Sequence, residues 1–360
     1  MIGFPPRAQM SVYLDQLTPA QYLALTWKAM EQLGWDISNV EENSITAITP
    51  FSLRSFYDRV VVNISSYEAE FSSTSMGMQI IDFFKNRKDL QLLTATISHL
   101  AERLSAEELE QEVATRRLKS MDKPAHYHIT ANRERIVEGF FAVFKPVPGY
   151  TITPIIITIN VLIYVMLGLT MMFTGNSFLW VHPQILVQFG ADFKLFTLID
   201  QPWRVFSAVF MHASVLHIFF NMYFLMVLGI YLEHILGYRR FLAAYLICGF
   251  ASSTISIWWN DLLPSVGASG AIYGLIGVLF AMFSIKNLIE PRERKALLSS
   301  ILITIVVTNV LSFVTKSNTD HGAHYGGLVF GFILTHAYYF GVFQDKKPGS
   351  KSGRSQARPV

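Results

Sequence analysis

The sequence has little charge, one cysteine and no leader-like start, and each shortage excludes a class of protein. Only 15% of the 360 residues are charged, against about 25% in soluble domains, so we expect much of the chain to lie outside water. The single cysteine, Cys248, excludes an intramolecular disulfide framework, and the net charge of +3 does not indicate a nucleic-acid-binding protein. The segment Met1–Arg7 lacks a basic stretch followed by an apolar core, so we expect no cleaved signal peptide.

Residues 1–148 are predicted to form a soluble, cytoplasmic α+β domain. Thr18-Pro19-Ala20-Gln21 has the pattern of a helix N-terminal capping box, and the helix is expected to stop at Gly34. We predict strands at 44–49, 58–64 and 67–75, and a helix over 90–118 interrupted near Ser105. The region has no metal-ligand spacing, nucleotide-binding loop or nucleophile motif. A regulatory or docking domain, for a cytoplasmic ligand that the sequence does not identify, is therefore the simplest interpretation.

Beyond Pro154 the sequence becomes strongly apolar. Six apolar segments are each near the roughly 20 residues needed to cross a bilayer. They are 154–173, 206–232, 239–259, 268–285, 297–315 and 322–342. The link 174–205 is too aromatic for an ordinary solvated loop, so we expect it to lie against the membrane surface. The predicted fold is a polytopic α-helical membrane protein: a six-helix membrane domain over 150–342, preceded by the α+β domain and followed by a basic, disordered cytoplasmic tail over 343–360.

Lysine and arginine are distributed unevenly among the links. Arg239 and Arg240, the link 286–296 and the tail are basic, whereas the links on the opposite side have few cations. The positive-inside rule then places both termini in the cytoplasm. An even number of spans, here six, also requires both termini to lie on the same side of the membrane. We expect an integral membrane protein of the bacterial inner membrane.

Three of the apolar segments contain polar groups at matching depth. Ser269 lies 17 residues before Lys286, which corresponds to about 25 Å of helix above the cytoplasmic face. His217 and His324 fall at comparable heights by the same measure. Histidines inside membrane spans are rare and are functional candidates by default. A serine, an imidazole and spare hydrogen-bond donors are the components of acyl-transfer chemistry.

Glycines mark the two segments that carry Ser269 and His324. They are Gly270, Gly274 and Gly277 in the fourth segment, and Gly327 and Gly331 in the sixth. Small residues four apart let two helix backbones approach closely, which a hydrogen bond between serine and histidine requires. Such spacing more commonly serves only to pack membrane helices. The same glycines can both pack the two helices and bring Ser269 close to His324.

Taken together, these residues resemble the rhomboid intramembrane serine proteases over about 150–342. The matching motifs, in the order of the chain, are Trp203-Arg204, His217-x-x-x-Asn221, Glu233-x-x-x-Gly237, Gly267-Ala268-Ser269-Gly270 with Tyr273, and Ala323-His324-x-x-Gly327-x-x-x-Gly331. The first domain resembles the cytoplasmic extension of some bacterial members.

The resemblance implies a serine endopeptidase that cleaves membrane-spanning substrates without a metal or cofactor. Ser269 would be the nucleophile and His324 its general base, with Tyr273 packed against the His324 ring. His217, Asn221 and the backbone N–H of Ser269 would form the oxyanion hole. The family uses a dyad, so Asp320 is expected to be a solvated loop residue.

Several alternatives remain open from the sequence. His321, three residues before His324, is a rival for the general base, although we expect it to be a polar residue at the segment's edge. His212 and His336 receive no role. The chain could also be a catalytically silent rhomboid-like binding protein, or a proton-coupled transporter that uses His217, His321 and His324.

Overall fold

A computed structural model describes residues 6–52, 57–76, 82–120, 143–259, 263–284, 291–315 and 319–343. The chain divides into two compact units. The first comprises 1–155, 229–235 and 286–319, and the second comprises 156–228, 236–285 and 320–360.

The first unit is built around a five-stranded antiparallel sheet with strand order β1-β5-β4-β3-β2. The strands are β1 (Arg7–Tyr13), β2 (Asp36–Val40), β3 (Ser44–Ile48), β4 (Asp58–Ile64) and β5 (Glu68–Ser75). The three predicted strands are confirmed as β3, β4 and β5. Strands β1 and β2 were not predicted, because β1 has a single β-branched residue, Val12, and the five-residue β2 contains Asp36 and Asn39, residue types that are depleted in strands.

The N-terminal part of this unit also contains helices α1 (Pro19–Gln32), α2 (Lys85–Arg103) and α3 (Ala106–Ser120). The capping box is confirmed, since Thr18 Oγ1 accepts from the Gln21 amide at 3.3 Å and Gln21 Oε1 accepts from the Thr18 amide at 3.0 Å. The α1 helix is followed by Gly34 at φ +68°, as expected. The break at Ser105 is also confirmed, although α2 begins five residues earlier than predicted. The core of the sheet and helices is apolar and includes Leu25, Met30, Ile45, Val60, Phe71 and Leu93.

Six long helices of the described residues overlap the six predicted apolar segments. They are α4 (Ile152–Phe173), α8 (Val215–Leu236), α9 (Tyr238–Trp259), α10 (Ser269–Ser284), α11 (Pro291–Thr315) and α12 (His321–Phe343). By length and composition, α4, α8 and α9 can each cross a membrane, and α10 is a shorter apolar helix. The chain is thus a polytopic helical membrane protein with an N-terminal sheet-containing region, as predicted. The predicted basic tail beyond residue 343 and the link at 285–290 lie outside the described residues.

The second apolar segment does not begin where the sequence predicted. Residues 206–214 are not part of its long helix: α7 (Arg204–Ser207) and a 3-10 turn (Ala208–Phe210) come first, and α8 starts only at Val215. Ser214 precedes that start, and its hydroxyl accepts from the His217 amide at 3.2 Å. A local hydrogen-bonding group therefore sets the start of the helix, which an apolar run alone does not reveal.

Glu233 caps the N-terminal amides of α4 within the first unit. Its carboxylate is 1% exposed and accepts hydrogen bonds from the amides of Thr151, Ile152 and Thr153 at 2.5, 2.7 and 2.9 Å. The Thr153 hydroxyl also donates to it at 2.7 Å. The first amides of a helix have no intrahelical acceptors, and a carboxylate there meets the positive end of the helix dipole. The glutamate at the end of α8 is thus a structural residue. Four residues later, Gly237 at φ +75° separates α8 from α9.

The link between α4 and α8 is folded around a buried arginine. It contains α5 (Pro183–Phe189) and α6 (Lys194–Thr197), and Arg204 Nη1 donates to the carbonyls of Val187 and Ala191 at 2.6 and 3.0 Å. The guanidinium carbon lies 5.0 Å from the centroid of the neighbouring Trp203 ring. The link exposes several apolar side chains, namely Leu179, Trp180, Phe189, Leu195, Phe196, Leu198, Ile199 and Trp203. Its contact with the membrane surface stays a prediction.

Candidate active site

Ser269 is the first residue of α10, and Gly267, two residues before it, has a positive φ angle. Gly267 has φ +131°, which disfavours any other residue, and its amide donates to the Ala208 carbonyl at 2.9 Å. A Cβ at this position would lie 2.9 Å from His217 Nε2 and 3.7 Å from Ser269 Oγ. The absence of a side chain at Gly267 therefore lets the His217 imidazole lie beside the turn that presents Ser269.

Helices α10 and α12 approach each other closely enough for their backbones to touch. A methyl group on Gly327 would overlap the carbonyl oxygen of Gly270, and one on Gly331 would overlap that of Gly274. A methyl group on Gly277 would overlap the carbonyl oxygen of Leu328. The glycine spacing thus reflects a tight helix pair, and this packing brings the start of α10 to the start of α12.

This close approach places Ser269 and His324 in hydrogen-bond contact. Ser269 Oγ lies 2.8 Å from His324 Nε2. The Tyr273 ring, one turn further along α10, stacks on the His324 imidazole with centroids 4.2 Å apart and planes inclined by 10°. The ring of His324 is therefore held between a hydroxyl at its edge and an aromatic ring on its face. A base in this position can accept the serine proton without prior rearrangement.

The predicted oxyanion residues occupy the first two turns of α8. The Ala213 amide points at His217 Nδ1 at 3.5 Å, a long contact that favours the tautomer with the proton on Nε2. The His217 ring is also braced by the buried His212, at a centroid distance of 5.0 Å. Asn221 is 6% exposed, and its side-chain amide donates to the His217 carbonyl at 2.8 Å. An amide nitrogen carries two protons, so Asn221 keeps one N–H beyond this bond.

The start of α10 is itself a source of hydrogen-bond donors. The first amides of a helix, here from Ser269 onward, have no intrahelical acceptors and carry the positive end of the dipole. A negatively charged oxygen next to Ser269 Oγ would meet these amides and the Nε2 side of His217. The arrangement can therefore stabilise charge that develops on an oxygen at this point.

His321 lies apart from the serine. Its ring is 6.5 Å from that of His324, centroid to centroid, and stacks at 6.0 Å on Tyr325. Among the described residues, its Nδ1 atom is buried without a hydrogen-bond partner. The structure thus pairs Ser269 with His324 rather than with His321.

Asp320 lies outside the helices, as expected, but it is not simply solvated, because its carboxylate has three hydrogen-bond partners in the protein. One carboxylate oxygen accepts from the Ala323 amide at 2.8 Å, and the other accepts from the hydroxyls of Ser256 and Ser265, the latter at 2.5 Å. Sequence analysis missed both serines as partners, because they lie 64 and 55 positions from Asp320 along the chain. An aspartate one residue before a helix is a recognisable N-cap, which was the one available signal.

Comparisons with known proteins agree with this architecture. Residues 200–340 match the family model of the rhomboid domain. The chain is 33% identical over 193 residues to RHOMBOID-like protein 1 of Arabidopsis thaliana, covering 51% of this chain and 49% of that protein. It is 31% identical over 190 residues to Rhomboid protease GluP of Bacillus subtilis, covering 52% of this chain and 34% of that protein. With Rhomboid-like protease 1 of Toxoplasma gondii the identity is 28% over 195 residues, covering 53% and 66%.

The chain thus spans about half the length of the first of these relatives and a third of the second. The matched region contains the buried Arg204 and every candidate-site residue described above, through to the glycines of α12. The motifs, the helical architecture and the matched domain converge on one assignment: the chain is an integral membrane protein of the rhomboid family.

Proposed function

We propose that this chain is a serine-type intramembrane endopeptidase that cleaves transmembrane segments of other membrane proteins near the outer face of the membrane. The observation that carries the proposal is the 2.8 Å contact between Ser269 Oγ and His324 Nε2. A hydroxyl is a weak nucleophile until a base within about 3 Å removes its proton. The stacked Tyr273 ring supports the orientation of that base.

In the proposed reaction, His324 Nε2 accepts the Ser269 proton as Oγ bonds to the carbonyl carbon of the scissile peptide. The carbonyl electrons move to oxygen, and His217, Asn221 and the Ser269 amide donate to this oxyanion, an effect typically worth about 3–4 kcal/mol. Collapse breaks the C–N bond, and the imidazolium gives its proton to the leaving amine. Water, deprotonated by His324, then hydrolyses the acyl-serine and the proton returns to Ser269. Helical carbonyls are engaged in hydrogen bonds, so the substrate must unwind locally first.

The setting of the reaction is part of the proposal. Both termini face the cytoplasm, the bilayer is that of the bacterial inner membrane, and the partners are membrane-spanning substrates and lipid. Residues 1–148 form a cytoplasmic domain that docks a ligand or regulates the membrane domain over 150–342. The distribution of lysine and arginine between the links supports this orientation.

The test is cleavage of a fluorescent single-span substrate by the purified full-length chain in liposomes, together with labelling by a fluorophosphonate. We expect Ser269→Ala and His324→Ala each to lower kcat/KM at least about 1,000-fold, and the double variant to be little worse, because the two residues act as a unit. Mass spectrometry should locate the phosphonate on Ser269. His321→Ala should retain turnover within about threefold, since its ring does not contact the serine.

The chain offers a matched control in the same two helices. Ser284 Oγ and His336 Nε2 lie 3.0 Å apart near the other ends of α10 and α12, so Ser284→Ala and His336→Ala remove a serine–histidine contact remote from the site. Both should leave turnover unchanged.

Substantial turnover by Ser269→Ala would refute the assignment of Ser269 as the nucleophile, and loss of turnover confined to His321→Ala would refute the assignment of His324 as the base. A folded wild type that binds the substrate without cleaving or labelling would be a silent binding protein. Proton-coupled transport that survives Ser269→Ala would indicate a transporter.

A further inference from the structure

The carboxylate of Asp320 joins three segments of the second unit. Its Oδ1 atom accepts from the Ala323 amide, which makes Asp320 the N-cap of α12. Its Oδ2 atom accepts from the Ser265 hydroxyl, in the loop before α10, and from the Ser256 hydroxyl of α9. Ser256 is 1% exposed, whereas Asp320 and Ser265 are partly exposed, so the cluster lies at the edge of the packed interior. Charge-assisted hydrogen bonds of this kind are stronger and shorter than neutral ones.

Two of the three joined segments lead directly to a group of the candidate site. The Asp320 backbone carbonyl accepts from the His324 amide at 3.2 Å, so the two residues bound the first turn of α12. Ser265 lies four residues before Ser269 and two before the left-handed Gly267. Ser265 is held on its other side by backbone hydrogen bonds in both directions with Asp192, at 2.8 and 3.0 Å. The carboxylate is thus shared between the turn that presents the serine and the turn that presents the imidazole.

We propose that Asp320 is a positioning residue for proteolysis: its carboxylate sets the start of α12 against the loop before α10 and so holds His324 in line with Ser269. The inference rests on the proposed function, and it assigns Asp320 no contact with substrate. Without the carboxylate, the first turn of α12 loses its cap and its tie to Ser265, so it can rotate or fray. A displacement of about 1 Å between reacting groups can lower a rate about 100-fold.

A purely structural role for Asp320 predicts a different result. If Asp320 only stabilised the fold, its removal would lower the folded fraction, and the folded molecules would react at the normal rate. A positioning residue instead lowers kcat of the folded protein and leaves KM nearly unchanged, because substrate binding does not involve it. The two possibilities are separated by normalising turnover to folded protein, which size-exclusion chromatography and tryptophan fluorescence measure.

The experiment compares the full-length wild type with Asp320→Ala, Asp320→Asn and Ser265→Ala. Asparagine keeps an oxygen that can cap the Ala323 amide but loses the charge, so it should rescue part of the effect. We expect kcat per folded molecule to fall about 100-fold in Asp320→Ala and about 10-fold in Asp320→Asn, with KM changed less than about threefold. The rate of phosphonate labelling of Ser269 should fall in parallel. Asp200→Asn is the control, because Asp200 is an exposed aspartate of the α4–α8 link.

The outcomes separate this inference from the proposed function. A wild type that cleaves and labels, with folded Asp320→Ala that does so at the same kcat, overturns the positioning role alone. A rise in KM at constant kcat also overturns it. A folded wild type that neither cleaves the substrate nor reacts with the phosphonate refutes the proposed function, and the positioning role of Asp320 with it. If Asp320→Ala does not fold, the Asp320→Asn and Ser265→Ala variants carry the same test, and normal kcat in both refutes the proposal.

Discussion

Asp192 is a buried carboxyl group whose protonation is coupled to folding. It is 2% exposed, Oδ1 accepts from the Thr197 hydroxyl at 2.8 Å, and Oδ2 has no hydrogen-bond partner among the described residues. Burial first, and then the negative charge of Asp320, raise the pKa of Asp192 from 3.8 to about 6, while the Thr197 hydrogen bond and Arg204 act in the opposite direction. The folded state therefore holds the Asp192 proton more tightly than the unfolded state does.

We predict that Asp192→Asn stabilises the protein at neutral and alkaline pH. Because the folded-state pKa is raised, its favourable contribution is fully present below pH 3.8 and is lost as pH rises through about 6. Asparagine mimics the protonated carboxyl and keeps the acceptor for Thr197, so it removes the cost of burying a charge. The gain should be on the order of 2–3 kcal/mol near pH 8 and should vanish near pH 4.

The measurement is the pH dependence of unfolding of both proteins in the same detergent, with Asp200→Asn as an exposed control that should follow the wild type. Equal stabilities of wild type and Asp192→Asn across this pH range would show that the carboxyl is not coupled to folding as described.

At the scale of the element, helix pair α10–α12 determines the candidate site. The two backbones are in contact at three levels, marked by Gly327, Gly331 and Gly277. Side-chain packing can adjust to an added methyl group by changing rotamer, whereas a carbonyl oxygen within a helix cannot turn away without breaking the helical hydrogen bonds. The separation of these two helices is therefore the most constrained distance near the site.

We predict that Gly327→Ala disrupts this pair, because its methyl group would overlap the Gly270 carbonyl oxygen. The expected loss of stability is about 2–3 kcal/mol, the upper part of the range for overpacking, and turnover should fall because Ser269 and His324 separate. The control is Gly249→Ala in α9, where the nearest atoms are Val209 methyl groups at 3.2 Å. These methyl groups can yield, so Gly249→Ala should change stability by less than about 1 kcal/mol. Thermal unfolding and turnover in one detergent measure both, and equal behaviour of the two variants would contradict the prediction.

At the scale of the whole molecule, the first unit contains contacts between distant parts of the chain. The Tyr231 hydroxyl donates to the Met76 carbonyl at 2.8 Å, and the fully buried Ala296 packs with Ile48 and Met76. Residues from the sheet region, from the end of α8 and from α11 thus share one small apolar cluster and one hydrogen bond. These contacts are structural, since the sequence places no candidate chemistry within residues 1–148.

We predict that a chain starting near Lys145 still inserts and cleaves, but unfolds more easily. Its kcat should stay within about threefold of the full-length value, because the Ser269–His324 contact, the Tyr273–His324 stack and the approach of His217 to Gly267 are all formed by residues beyond 200. Loss of the Met76 contacts should lower the unfolding midpoint by several degrees, roughly 2–4 °C per kcal/mol for a chain of this size. A truncated chain that is folded and inert would show instead that residues 1–144 take part in the mechanism.

Local and periodic features could be predicted from the sequence. Apolar runs of spanning length indicated the long helices, Thr18 and Gln21 indicated the capping box, and glycines four apart indicated the close approach of α10 and α12. The sequence also singled out Ser269, His324 and Tyr273, because their spacing resembles a known set of motifs. Each of these features is recognised from a motif or an apolar run within a single segment of the chain, so the primary sequence contains the information directly.

The remaining features depend on groups far apart in the chain. Three of them need a partner 55 or more positions away: the β1 strand beside β5, the cap that Glu233 provides to α4, and the cluster of Asp320 with Ser256 and Ser265. The fourth, the start of α8 at Val215, depends on a local cap within an apolar run. Short polar side chains have no periodicity that reveals such partners. The sequence by itself determined the family, the membrane class and the residues of the Ser269–His324 pair. Only the tertiary structure decided how the Asp320 carboxylate ties the loop before Ser269 to the start of the helix that carries His324, because that contact exists only once α9, α10 and α12 have packed.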